Sequence, residues 1–252
     1  MTVKKRSTAV SDHDDGFVIE QNNVTGGISF WEKSDNHSVA DRHGISLADY
    51  IHAFYFFLRQ AGSRHVLMIG CGGGTLATML RRAGVTVTVV DIDGRNYEIA
   101  RTYFNMPDDI ECHVADGRDF LRRDKRRYDA IVLDAYSDSA MPKHFTTRAF
   151  YDLVKSRLKT RGAILLINLM AADDADRAPD RFAHLLKKTW SQVRLLDSLG
   201  WDDRNVIALA GAVKGLTRPR LLMLPQRRVK SITAELRTMD FRAVRGPNSS
   251  SD

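Results

Sequence analysis

The sequence predicts an α/β fold: a doubly wound, mostly parallel sheet of seven strands preceded by a small N-terminal β-hairpin region. Three observations carry that reading. Between His65 and Leu169, strand-length apolar runs alternate with helix-length periodic segments, as in a parallel sheet covered on both faces. The first of these runs, His65–Gly70, ends in a glycine loop that opens onto a helical segment. Past Trp190 the alternation loosens, and Val193–Leu196 and Val206–Ala210 read as two strands that finish the sheet antiparallel at one edge.

Each element follows from its side chains. Phe17–Glu20 and Ile28–Trp31 flank the turn residues Asn22, Asn23, Gly26 and Gly27, a hairpin signal. Ser46 to Gln60 reads as a helix with Ser46 at its N-cap and Asp49 three residues on. Leu76–Leu80 is helical and stops near Gly84, and Val85–Val90 is a β-branched strand ending on Asp91. Tyr97–Phe104 is the next helix, and Ile110–Val114 is a shorter strand followed by a helical Asp119–Leu121. Asp129–Asp134 is the fourth strand. Thr147–Leu158 puts Phe150, Leu153, Val154 and Leu158 on one helix face; Gly162 ends it, and Ala163–Leu169 is the fifth strand. Arg181–Trp190 and Val229–Met239 are further helices. The resulting division is a disordered tail at 1–16, a small β region at 17–45, an α/β domain at 46–245 and a second tail at 246–252.

At 252 residues and 43% hydrophobic, the chain has the material for one α/β core. No run approaches the roughly 18 apolar residues of a membrane helix. Residues 1–16 lack the apolar stretch of a secretion signal, so a cytoplasmic protein is expected. The two cysteines, Cys71 and Cys112, are too few for a disulfide framework or a cysteine metal site, and no metal is expected. A net charge of +7, with basic runs at Arg122–Arg127 and Arg218–Lys230, raises the question of nucleic acid. Neither run is interleaved with the aromatics that base stacking requires, and the first suits a solvated helix end before a buried strand. Nucleic acid and membranes are therefore not the expected partners.

The chemistry concentrates where strands end. In the loop Gly70-Cys71-Gly72-Gly73-Gly74, glycines let the backbone turn tightly and let a ligand approach main-chain N–H groups. Asp91, about 20 residues on, ends the next strand, where a carboxylate accepts both hydroxyls of a ribose, with Ile92 beside it. Capping of the following helix is the plainer role for Asp91. A dinucleotide is disfavoured because Thr75 occupies the sixth position of the pyrophosphate fingerprint. Asp116 and Gly117 end the third strand, and a carboxylate there accepts a hydrogen bond from the exocyclic amine of adenine. Gly70, Gly72, Gly73, Gly74, Asp91, Ile92, Asp116 and Gly117 thus form a candidate adenosyl-nucleoside site beyond the strand carboxyl ends.

These residues resemble the spermidine synthase (polyamine aminopropyltransferase) superfamily. The similarity runs from about Tyr50 to Asn168 and rests on Val66–Gly74, Val89–Asp91, Val114–Gly117 and Tyr128–Asp134. Asp134–Asp138, with Pro142, Thr146, Phe150 and Tyr151, continues it. The resemblance implies a Rossmann-like domain of the class I methyltransferase type behind a small β domain, commonly in a homodimer. It implies S-adenosylmethionine or decarboxylated S-adenosylmethionine as co-substrate, and a small amine or other small nucleophile as acceptor. Asp134 would orient and deprotonate the attacking amine, Asp138 would be a second acid, and Tyr50 the tyrosine of the substrate pocket. The departures are as specific. Where the family has an acid in the glycine loop, this chain has Gly73; the polar pair after the tyrosine is Ile51 and His52; and Arg218–Pro225 is a poor substitute for a proline-rich gate.

Plainer roles stand beside several of these. Tyr50 heads an apolar helical run with Phe54 and Phe57 and also suits the core. Asp138 also suits a turn cap, and His144 suits either a base or a loop histidine. His37, His43 and His52 are not spaced as a metal set. Trp31 and Trp201 suit a core or an interface, and Cys71 a small loop position rather than a reactive thiol. The expected function is aminopropyl-type transfer from a (decarboxylated) S-adenosylmethionine donor to a small amine. An S-adenosylmethionine-dependent small-molecule methyltransferase is the alternative, and a non-catalytic adenosyl-nucleoside binder the alternative of another class.

Overall fold

Two sheets follow from two kinds of patterning. The computed structural model describes residues 8–10, 17–22, 26–32, 35–136 and 141–246. Alternating strands come first: β1 (Thr8–Val10), β2 (Phe17–Asn22), β3 (Gly27–Glu32) and β4 (Asp35–Ala40) form an antiparallel sheet in that order. The expected hairpin is β2–β3, with Phe17 opposite Glu32 and Asn22 opposite Gly27. The region is larger than a hairpin, because β4 pairs with β3 and β1 with β2. Residues 8–10, read from sequence as tail, therefore form an edge strand; the three-residue run is too short to carry a periodic signal. Phe17, Ile19, Ile28 and Phe30 share one buried face, and Phe104 from the main domain packs into it.

Continuous apolar strands then build the main sheet. Its strands are β5 (His65–Ile69), β6 (Thr86–Asp91), β7 (Glu111–Val114), β8 (Ala130–Leu133), β9 (Ile164–Ala171), β10 (Val193–Asp197), β11 (Arg204–Gly211) and β12 (Asp240–Arg242). They lie in the order β12-β10-β11-β9-β8-β5-β6-β7. The five from β5 to β9 are parallel, and β11, β10 and β12 complete the sheet antiparallel. All seven expected strands are present, and β12 is an eighth. It is held by side chains as well as by pairing: the Arg194 guanidinium lies 3.2 Å from the centre of the Phe241 ring, and Arg242 reaches Asp197 and Asp180.

Helices α1 (Asp49–Gln60), α2 (Thr75–Arg82), α3 (Arg95–Phe104), α4 (Gly117–Arg123), α5 (Arg148–Arg157), α6 (Ala178–Lys187) and α7 (Val229–Thr238) cover the sheet. One apolar cluster joins α1 and α2 to Val66, Met68, Val87, Val132 and Leu166, while the alternate residues Leu67, Val90, Ile131 and Leu165 face α4 and α5. Helix α1 begins at Asp49 rather than Ser46. Ser46 instead accepts from the Ala48 amide and offers its carbonyl to His52, forming the turn that leads in. From the β5–β8 boundary the chain winds outward in both directions, which opens a crevice at the carboxyl ends of these two strands. Among the described residues no helix is long and apolar enough to cross a membrane.

Candidate active site

The glycine loop is shaped by what lies against it. Gly70, Gly72 and Gly74 have φ of +100°, +49° and +63°, a region that L side chains rarely adopt. Gly70 also meets β8: a Cβ at this position would fall 2.0 Å from the Asp134 carbonyl oxygen. Absence of a side chain at Gly70 is therefore what brings the loop and the end of β8 together. On the other side, Ser38 of β4 accepts the Gly73 amide at 2.8 Å, and the Phe104 ring closes on the same glycine. Gly73 therefore has its N–H committed and no room for a side chain.

Asp91 ends β6 with its backbone N–H on the Tyr97 hydroxyl. Its carboxylate accepts from the Cys71 amide at 2.7 Å, from the Asp93 amide at 2.9 Å and from Asn96 at 3.1 Å. Burial pushes this carboxyl above its ordinary range, and those three donors oppose the shift. Asp91 does not cap α3, which starts from Gly94 without a side-chain cap. Ile92 is 75% exposed beside it, and Val114 at the end of β7 is 63% exposed. Both are open apolar side chains on the carboxyl-end side of the sheet, and Val114 was not singled out from the sequence as a site residue. Burial and the Asp91 carboxylate push the Cys71 thiol up, which suits a packing role.

The capping role falls to Asp116. Its Oδ1 accepts from the amides of Arg118 and Asp119 at the start of α4. Its Oδ2 stands 2.9 Å from His144 Nε2, though out of line for a hydrogen bond. Gly117 packs α4 onto β5, since a Cβ there would fall 2.5 Å from Ile69.

Asp134 follows β8 and is held from two sides. Asn168 Nδ2 donates to Oδ1 at 2.9 Å and the Tyr50 hydroxyl to Oδ2 at 3.3 Å. Burial raises the Asp134 carboxyl above its ordinary value, partly offset by Asn168, Tyr50 and the charge of His37. The Tyr50 hydroxyl is in turn pushed well up by burial and by Asp134. Tyr50 thus both packs edge-on against Phe54 and meets Asp134. Asn168 was missed in the sequence, where the signal was a single amide inside an apolar strand. Asp138 lies outside the described residues. Among the described residues, no group of three His, Cys, Asp or Glu side chains is arranged to hold a metal ion.

Residues 50–171 match the spermine/spermidine synthase domain family. The chain is 33% identical over 141 residues to polyamine aminopropyltransferase 2 of Pseudomonas aeruginosa, covering 52% of this chain and 40% of that protein. It is 32% identical over 133 residues to an N-terminal histidine N-methyltransferase of Emericella nidulans, covering 51% of this chain and 22% of that protein. The chain spans less than half the length of the curated relatives it matches. In fold it is similar to a probable spermidine synthase from Corynebacterium glutamicum, with a TM-score of 0.74, 16% identity, and 95% and 91% of the two chains covered.

Proposed function

We propose that this chain transfers an aminopropyl-type group from an S-adenosyl sulfonium donor to a small amine in the cytoplasm. The observation that carries the reading is the contact between Gly70 and Asp134, which sets a part-buried carboxylate beside the loop suited to a nucleoside. In this reading the ribose lies at Asp91 and the adenine between Ile92 and Val114. The Oδ2 of Asp116 is the acceptor left for the adenine amine.

The chemistry asks little beyond placement. A sulfonium is already a good leaving group, so holding the amine nitrogen in line with the carbon to be attacked supplies most of the rate. A free amine has a pKa near 10.4, so it enters as an ammonium ion and must lose a proton. Asp134 binds that cation through Oδ2 and takes the proton as the new C–N bond forms. The C–S bond breaks with its electron pair returning to sulfur, leaving a neutral thioether nucleoside. A carboxyl raised by burial is a stronger base than an exposed one.

Methyl transfer is the second reading, favoured by the absence of an acid at Gly73. Incubation with each sulfonium donor and a panel of amines separates them. Methylthioadenosine released by an amine marks aminopropyl transfer, and S-adenosylhomocysteine marks methyl transfer. Neither product, with a nucleoside still bound, points to a non-catalytic binder. A homodimer belongs to this reading and is checked by light scattering.

A further inference from the structure

Asp134 is one end of a chain of side-chain amides that crosses three strands. Pairing of Leu133 with Ile167 brings Asn168, the next residue of β9, beside Asp134. Pairing of Ile207 with Asn168 puts Asn205, two residues before Ile207 on β11, on the same face as Asn168. Asn168 is only 4% exposed, so its amide must be satisfied internally. Its Nδ2 donates to Asp134 Oδ1 at 2.9 Å, and its Oδ1 accepts from Asn205 Nδ2 at 2.8 Å. Its backbone carbonyl accepts from the Tyr136 hydroxyl at 2.8 Å.

We propose that Asn168 and Asn205 are positioning residues for Asp134: Asn168 pins one carboxylate oxygen, Asn205 fixes the direction of the Asn168 amide, and the second oxygen stays turned toward the acceptor amine. The inference rests on Asp134 being the base of the proposed transfer.

The direction of the chain is dictated by charge. An ionised carboxylate only accepts hydrogen bonds, so Asn168 must present its NH2 group to Asp134. The Asn168 carbonyl then faces Asn205, which must answer with its own NH2 group. A reversed Asn168 would set its carbonyl oxygen against the carboxylate and its NH2 against another NH2. Asn205 is thus the lock on a rotation that would strip Asp134 of its shortest side-chain donor. Among the described residues, the other titratable groups facing Asp134 are His37 from β4, Tyr50 from α1 and Tyr136 from the loop after β8. None of these is an always-charged Lys or Arg, so a neutral amide carries the positioning and leaves the carboxylate free to take a proton.

The test compares Asn168→Ala, Asn205→Leu and Asn205→Gln with the wild type. Removing Asn168 is expected to lower kcat about 10- to 100-fold, the cost of a misplaced reacting group, with KM for the donor little changed. The acid limb of the pH profile should move up by about one pH unit, because the ionised carboxylate loses a donor. Asn205→Leu should act in the same direction and more weakly, and Asn205→Gln should restore most of the loss by supplying an amide again. Carbon-13 NMR of the Asp134 carboxyl, assigned with Asp134→Asn, reads the same upward shift without any turnover. An unmoved titration in both Asn168→Ala and Asn205→Leu overturns the relay. A wild type that transfers nothing to any amine overturns the function instead, and the titration still decides the relay.

Discussion

The amide of Gly73 donates a 2.8 Å hydrogen bond to the hydroxyl of Ser38, tying the glycine loop of the main sheet to the fourth strand of the small one. The position that carries an acid in the family is thereby shut. Ser38 Cβ and the Phe104 ring each lie 2.9 Å from where a Cβ at Gly73 would stand.

Gly73→Asp should accordingly lower stability by about 1–3 kcal/mol, the usual cost of overpacking. Pairing it with Ser38→Gly, which removes one of the two obstructing carbons, should recover part of that loss. In the paired variant the new carboxylate should favour decarboxylated S-adenosylmethionine, attracting its amine and repelling a donor carboxylate. Wild type should show little preference or the reverse. Thermal melts and calorimetry with both donors test this; strong wild-type preference for the decarboxylated donor would mean that another acid holds the amine.

Asp91 serves two ends at once, so its substitutions should separate them. Asp91→Ala removes the proposed ribose acceptor and also releases the Cys71 amide, so adenosyl-ligand affinity should fall by about 1.5–3 kcal/mol or more. Asp91→Asn keeps an oxygen for the Cys71 amide and should lose less. Calorimetry with methylthioadenosine and S-adenosylhomocysteine measures both. Equal affinity in wild type and Asp91→Ala would remove this residue from the nucleoside site.

The strands of the parallel half were legible because buried parallel strands read as unbroken apolar runs punctuated by glycine. Asp91, Asp116 and Asp134 were legible for a related reason: a carboxylate directly after such a run has left the sheet for its open edge. What the sequence could not give was how those carboxylates divide their work. Helix capping suggested itself for Asp91, yet Asp116 makes the cap, because the choice depends on where the backbone turns after each strand. Asn168 and Asn205 carry no local pattern at all; they meet only through the pairing of two strands far apart in the chain. The closure over Gly73 was hidden likewise, since Ser38 lies in a separate sheet. Strand β12 escaped because three residues show no periodicity.

The far edge of the sheet should depend on one buried carboxylate. Asp197 accepts from Arg204 at 2.6 Å and from Arg242 at 2.6 Å, and is 2% exposed. Burial opposes its charge, but the two arginines outweigh it and hold the carboxyl below its ordinary range. A depressed carboxyl stabilises the fold above its unfolded pKa and loses that contribution as pH falls toward the folded value. Asp197→Ala should therefore cost up to about 3–5 kcal/mol at neutral pH by removing the carboxylate that Arg204 and Arg242 share, while Arg204 keeps Asp174 and Arg242 keeps Asp180. The difference from wild type should narrow in chemical denaturation below about pH 4, where the unfolded carboxyl is protonated. A gap that stays constant across that range would assign the loss to packing alone.

Asp134 should behave in the opposite sense, and the contrast tests the proposed reaction. Its carboxyl is raised by burial, so the ionised form works against folding. The stability linked to its protonated form is complete below the unfolded pKa, near 3.9, and is lost as pH rises through the folded value. Asp134→Asn keeps the size of the side chain, still offers an oxygen to Asn168, and carries no charge to bury. Its melting temperature at pH 7 should equal or exceed that of wild type, with the difference closing as pH falls toward 4, roughly the unfolded carboxyl pKa. Turnover should fall by roughly 10²–10⁴, the range for loss of a general base. Nucleoside affinity should change by no more than about threefold, because the interaction removed acts mainly on the transition state. Melts, kinetics and calorimetry on one preparation make the comparison complete. A variant as active as wild type would exclude Asp134 as the base. A folded variant that no longer binds the nucleoside would move Asp134 into the donor site itself.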